Sequence, residues 1–208
     1  LYKDTILSAA QSPYIITSTL VVLPDTILRI EAGAELRFQG SISLTVKGIL
    51  EVEGQADNLV LFGPDNDSPT AGDWVGIEIN GGSTSSLAHA DIRGADIAVR
   101  AQEGTAPTMN GLVISQSGVG VKFDGTDTTG TLSNCSITGC TTGIVASWAA
   151  WSQAISVTDS EISNNDSGVE TSGSARINFS HCIISDNAKV GLDMDGNVAE
   201  YNLISGNK

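Results

Sequence analysis

His89-Ala-Asp-Ile-Arg93, Gly111-Leu-Val-Ile-Ser115, Asn134-Cys-Ser-Ile-Thr138, Asp159-Ser-Glu-Ile-Ser163, His181-Cys-Ile-Ile-Ser185 and Tyr201-Asn-Leu-Ile-Ser205 are six versions of one short segment. Their shared isoleucines, Ile92, Ile114, Ile137, Ile162, Ile184 and Ile204, are separated by 22, 23, 25, 22 and 20 residues. A repeat of this length means supersecondary units stacked on one another, each touching only its neighbours.

Two further apolar columns flank the isoleucines. Five positions before them stand Leu87, Met109, Leu132, Val157, Phe179 and Ala199. Seven or eight positions after them stand Val99, Val121, Ile144, Val169 and Leu192, preceded by Ala98, Gly120, Gly143, Gly168 and Gly191. Within each run apolar and polar residues alternate, which is the period of a half-buried strand, and no stretch keeps a helical period. Three strands per coil, stacked in register, predict an all-β, three-sheet parallel β-helix of about 22 residues per coil. Asn165, Asn187 and Asn207 share one column and predict a stacked amide ladder. The glycine column predicts φ freedom at a tight corner.

The repeat is less regular over residues 1–80 than over 81–208, but the alternation persists, so one domain over 1–208 is expected. Thr19–Leu23, Thr26–Ile30, Glu35–Phe38, Leu44–Val46, Ile49–Val52, Leu59–Phe62 and Trp74–Ile79 read as strands. Gly63–Asp73 reads as the one long loop, and Trp74 as core. The sequence stops inside a coil at Ile204-Ser-Gly-Asn-Lys208, which predicts a fragment, or a neighbour stacked end to end on the C-terminal coil.

The chain has 208 residues, 23 of them glycine, only 5% aromatic residues, and a formal charge of −14 with ten Lys plus Arg. Phosphate backbones reward basic surfaces, so nucleic-acid binding is disfavoured. No apolar run is long enough to span a bilayer as a helix. Of the three cysteines, Cys135 and Cys182 occupy one column with Ser160 between them. Two coil spacings put their sulfurs roughly 10 Å apart, beyond disulfide reach. They and Cys140 read as small buried residues, with no zinc-ligand spacing.

Leu20-Val-Val-Leu-Pro-Asp-Thr-Ile-Leu-Arg-Ile-Glu-Ala-Gly-Ala-Glu-Leu-Arg-Phe38, Leu44-Thr-Val-Lys-Gly-Ile-Leu-Glu-Val-Glu-Gly54 and Asp73-Trp-Val-Gly-Ile77 resemble the opening coils of secreted right-handed β-helix proteins of the pectate-lyase-like superfamily. Coils of the type Ile162 to Val169 resemble the generic repeat of that group. Pro24-Asp25 replaces the usual Pro-Gly. The resemblance implies a right-handed solenoid and an extracellular or cell-surface location. It does not imply one function, because the superfamily holds lyases, hydrolases, epimerases, adhesins and phage spikes.

Two functional readings remain open. In the first the chain is a non-catalytic spacer, adhesin or assembly subunit, with a polysaccharide or a protein neighbour as partner. Trp148 and Trp151 sit in the coil that is three residues too long, and as exposed indoles they could stack on sugar rings. In the second the chain is a Ca²⁺-dependent polysaccharide lyase. One outward column reads Glu78, Arg100, Lys122, Val145, Glu170 and Asp193, and the next reads Asn80, Gln102, Asp124, Ser147, Ser172 and Asp195. Glu170, Asp193 and Asp195 offer hard oxygen ligands for calcium. The resemblance implies calcium and a basic catalytic residue on such a face, and Lys122 and Arg100 are the candidate bases. The bland alternative is a solvated charged face with Arg100 paired to Glu78. The superfamily's hydrolase signals are missing: no Asp-Asp pair and no Gly-His-Gly occur, and Asn178 follows Arg176-Ile177 where lysine is expected. His89 and His181 are isolated and read as surface or turn residues. Sequons occur at Asn66, Asn134, Asn165 and Asn178.

Overall fold

The computed structural model describes the chain apart from residues 81–83, 148–154, 174, 194–197, 201 and 208, and residues 198–200 by backbone alone. Among the described residues the strands form three parallel sheets of nine, nine and eight strands. The first sheet runs from Thr5–Leu7 to Val198–Glu200, the second from Tyr14–Ile16 to Leu203–Ser205, and the third from Leu20–Val22 to Val190–Asp193. Each strand pairs with the strand three places along the chain, so every coil crosses all three sheets once. The result is a right-handed parallel β-helix. No described helix is long and apolar enough to cross a membrane.

The predicted columns are the registers of the sheets. Ile92, Ile114, Ile137, Ile162, Ile184 and Ile204 face one another in sequence along the second sheet. The column continues back through Phe62, Leu36 and Tyr14, so the N-terminal coils join the same ladder. Leu87, Met109, Leu132, Val157 and Phe179 form the first-sheet column, and Val99, Val121, Ile144, Val169 and Leu192 the third. Apart from Ile204, which is half-exposed, their side chains pack into one continuous core. Full burial of each aliphatic side chain contributes about 1.5–3 kcal/mol. The first coil, with strands at Thr5–Leu7 and Tyr14–Ile16, escapes the sequence pattern because both strands are apolar at outward and inward positions alike and none of their residues is fully buried.

Each pass through the second sheet is bracketed by residues in the left-handed region. Three positions before the isoleucine these are His89, Gly111, Asn134, Asp159 and His181, with φ of 50–66°. Two positions after it they are Gly94, Gln116, Gly139, Asn164, Asp186 and Gly206. Gly, Asn and Asp tolerate this conformation best, which explains the polar punctuation around each isoleucine. The glycine column of the third sheet has a different cause. Gly120 and Gly143 do not adopt positive φ; a Cβ on Gly120 would lie 2.5 Å from both Gly143 O and Ile137 Cγ2. Close approach of coils, and not φ freedom, demands glycine there.

The asparagine ladder is present and continuous. Asn165 Oδ1 accepts the Cys140 amide (2.9 Å), Asn187 Oδ1 the Asn165 amide (3.0 Å), and Asn207 Oδ1 the Asn187 amide (3.0 Å). Their Nδ2 groups donate to the carbonyls of Ile137, Ile162 and Ile184. Buried backbone groups that turn away from the sheets are satisfied in this way. Cys135, Cys140 and Cys182 are buried free thiols. Trp74 is buried, stacked on Phe38 at 4.2 Å, and donates its indole N–H to Arg93 O.

Candidate functional site

The outward face of the third sheet carries the charged column foreseen from the repeat. Its register runs Thr45, Glu78, Arg100, Lys122, Val145, Glu170, Asp193. Arg100 does not pair with Glu78. Its guanidinium donates to Asp124 Oδ2 at 2.5 Å, and the Lys122 ammonium lies 3.3 Å from the same oxygen. Glu78 instead accepts the Thr45 hydroxyl at 3.2 Å. The reason is geometric: Asp124 lies two residues beyond Lys122 on the same strand face, so one carboxylate reaches both cations. Burial alone would raise the Asp124 pKa, but the Arg100 hydrogen bond and the Lys122 charge outweigh it and hold it below the usual carboxylate range. Arg100 Nε is buried and has no hydrogen-bond partner among the described residues.

Glu170 and Asp193 face each other across adjacent strands. Asp195, the third predicted calcium ligand, lies outside the described residues, as do Trp148 and Trp151. Val145 separates Lys122 from Glu170 in the column, so the cationic and anionic halves of this face are two rungs apart. No group of three or more His, Cys, Asp or Glu suited to a metal ion occurs among the described residues.

Sequence reasoning identified the Gly63–Asp73 loop but gave it no role. The strand Val60–Pro64 ends in it, and the loop lies along the corner between the second and third sheets. Asp73 fixes its shape, accepting from Asn66 Nδ2, the Thr70 amide and the Thr70 hydroxyl. These bonds, the one from Asn66 foremost, lower the Asp73 pKa. Pro64 and Pro69 sit over Gly94, where a Cβ would come within 3.0 Å of Pro64 and 3.1 Å of Pro69. The loop walls two clefts. One of about 250 Å³ has Leu61, Pro64 and Pro69 with Arg37 and Arg93 on its rim. The other, about 370 Å³, lies between Pro69–Ala71 and Gln116, Cys140 and Asp166. Both arginines are already paired, Arg37 with Glu35 at 2.7 Å and Arg93 with Asp91. The signal for this loop was present in the sequence: it is the longest break in the repeat.

His89 and His181 occupy the left-handed corner column on separate coils. Burial pushes all three thiols above their ordinary pKa, so they are poor nucleophiles.

A right-handed, coil-by-coil parallel solenoid with a charged outer face defines the class of this protein. The family description "right handed beta helix region" matches residues 75–208, and the chain belongs to that family. Neither a curated protein nor a solved structure matches it.

Proposed function

We propose that the chain is a non-catalytic β-helix module of an extracellular or cell-surface protein, serving as a rigid spacer or adhesive unit that contacts glycans. The observation that carries this reading is the shared carboxylate of Asp124. A lyase base must be free to take a proton from the sugar. Lys122 and Arg100 are both engaged with Asp124, at 3.3 and 2.5 Å from the same carboxylate oxygen. The stacking of the coils supplies the stiffness that a spacer needs. Trp148 and Trp151 remain the proposed sugar-stacking pair.

A second reading, a Ca²⁺-dependent polysaccharide lyase, keeps one favourable observation: Glu170 and Asp193 stand in register on neighbouring coils. The two readings separate in one experiment. The chain is incubated with polygalacturonate and alginate, with Ca²⁺ or with EDTA, and unsaturated ends and melting temperature are followed. The module reading expects no product and no Ca²⁺-dependent shift. Product formation that requires Ca²⁺ and disappears in Lys122→Ala would overturn it.

A further inference from the structure

Five consecutive coils of one face carry no charge on a chain whose formal charge is −14. The outward positions of five consecutive first-sheet strands, from Ser86–Ala88 to Ile177–Ser180, hold only Ser, Thr, Asn and one Ala. On the same coils the second sheet turns out Asp91, Arg93 and Glu161, and the third turns out Arg100, Lys122 and Glu170. Charge brackets this stretch: Glu51 and Glu53 on the preceding coil with Arg29 and Glu31 one coil further back, Arg176 at a strand entrance, and Glu200 in register with Ser180 on the following strand.

Several polar groups of this face are also unengaged, although Ser133 and Ser180 are hydrogen-bonded. Elsewhere polar side chains are tied down, as in the asparagine ladder and the Asp73 loop. The side chains of Thr108, Thr131, Ser156, Thr158 and Asn178 make no hydrogen bond to another described residue. The contrast is with Asn110, which accepts from Ser133 and Asn134. Rungs about 4.8 Å apart thus present hydroxyl and amide groups in a regular two-column array.

We infer that this face binds a neutral polysaccharide laid across the rungs. The inference rests on the module reading above and names its ligand surface. Charge selects the partner: an uncharged face offers no counter-charge to a polyuronate, a nucleic acid or a charged protein. Its side chains are small and polar, and it lacks the aromatic and apolar centre on which a protein interface is built. A hydroxyl donates and accepts at once, which suits sugar hydroxyls. Each exchange with water nets little, so retention requires several rungs together and therefore a repeating polymer.

The test is retention of the chain on insoluble neutral glucan and chitin, against polygalacturonate, with Thr108→Glu/Thr131→Glu as the variant. Both positions are exposed but face each other in register, so the two glutamates repel and lower the melting temperature slightly; retention is compared well below it. Thr138→Glu on the second sheet is the control. The expected result is retention on at least one neutral polymer, weakened about tenfold or more by the double variant and unchanged by the control. Retention insensitive to the double variant but lost in Trp148→Ala/Trp151→Ala would overturn this inference while leaving the module reading intact. Preference for polygalacturonate, failure to bind any polymer, or variant-sensitive inhibition of ice growth without glycan retention would also overturn it.

Discussion

At the scale of single residues, stacking determines which side chains remain available. Asn187 is fully buried and holds the Asn165 amide and the Ile162 carbonyl at once. Asn187→Ala should lower stability by at least about 2 kcal/mol, because each orphaned buried group costs about 1–3 kcal/mol. Urea unfolding measures this, and a loss near zero would mean that water replaces the amide. The thiols follow from burial in the same manner. A thiol reagent at neutral pH should label Cys135, Cys140 and Cys182 slowly in the folded chain and rapidly in denaturant. Asp124 adds a pH dependence with a defined sign. Its folded pKa is depressed, so its contribution is fully present above the unfolded value of about 4 and is lost as pH falls through the folded one. Asp124→Asn should remove that part of the acid-unfolding slope.

Among elements, the Gly63–Asp73 loop is a segment whose conformation is set by side chains and not by a sheet. Asp73 accepts three of its hydrogen bonds, and the loop rests on Gly94 through Pro64 and Pro69. Gly94 has φ of 73°, so Gly94→Ala combines backbone strain of about 1 kcal/mol with displacement of the prolines. Limited proteolysis should then cut between Pro64 and Asp73 faster in Gly94→Ala than in the parent chain, with the rest of the coils still protected. Equal cutting rates would show that the loop is held elsewhere. Most strands could be read from the sequence because alternation and the isoleucine spacing are visible in single residues. The first coil could not, since Ile6 and Ile15 are exposed apolar residues that erase the alternation there. The glycine column was visible, but its cause was not: steric approach between coils depends on neighbours 20 or more residues away, such as Gly143 O beside Gly120. The Asp124 pairing was hidden for a related reason. Reading down one column placed Arg100 beside Glu78, whereas the ion pair crosses to the next column and the next coil.

For the molecule as a whole, three ladders run through one core, and each outer face is left with its own character. The third sheet is charged and internally paired, the second is mixed, and the first is uncharged over five consecutive coils. A solenoid of this kind presents surfaces more than cavities: two clefts lie under one loop, and another, of about 470 Å³, lies between coils beside Cys135, Ser160 and His181. The central claim is that these surfaces hold a polymer without transforming it. It is tested most directly by one incubation in which retention and product release are measured together, on neutral glycan and on polyuronate with Ca²⁺. The account predicts retention on a neutral polymer with no release of unsaturated ends from either substrate. Release of unsaturated ends that is abolished by Lys122→Ala would contradict it.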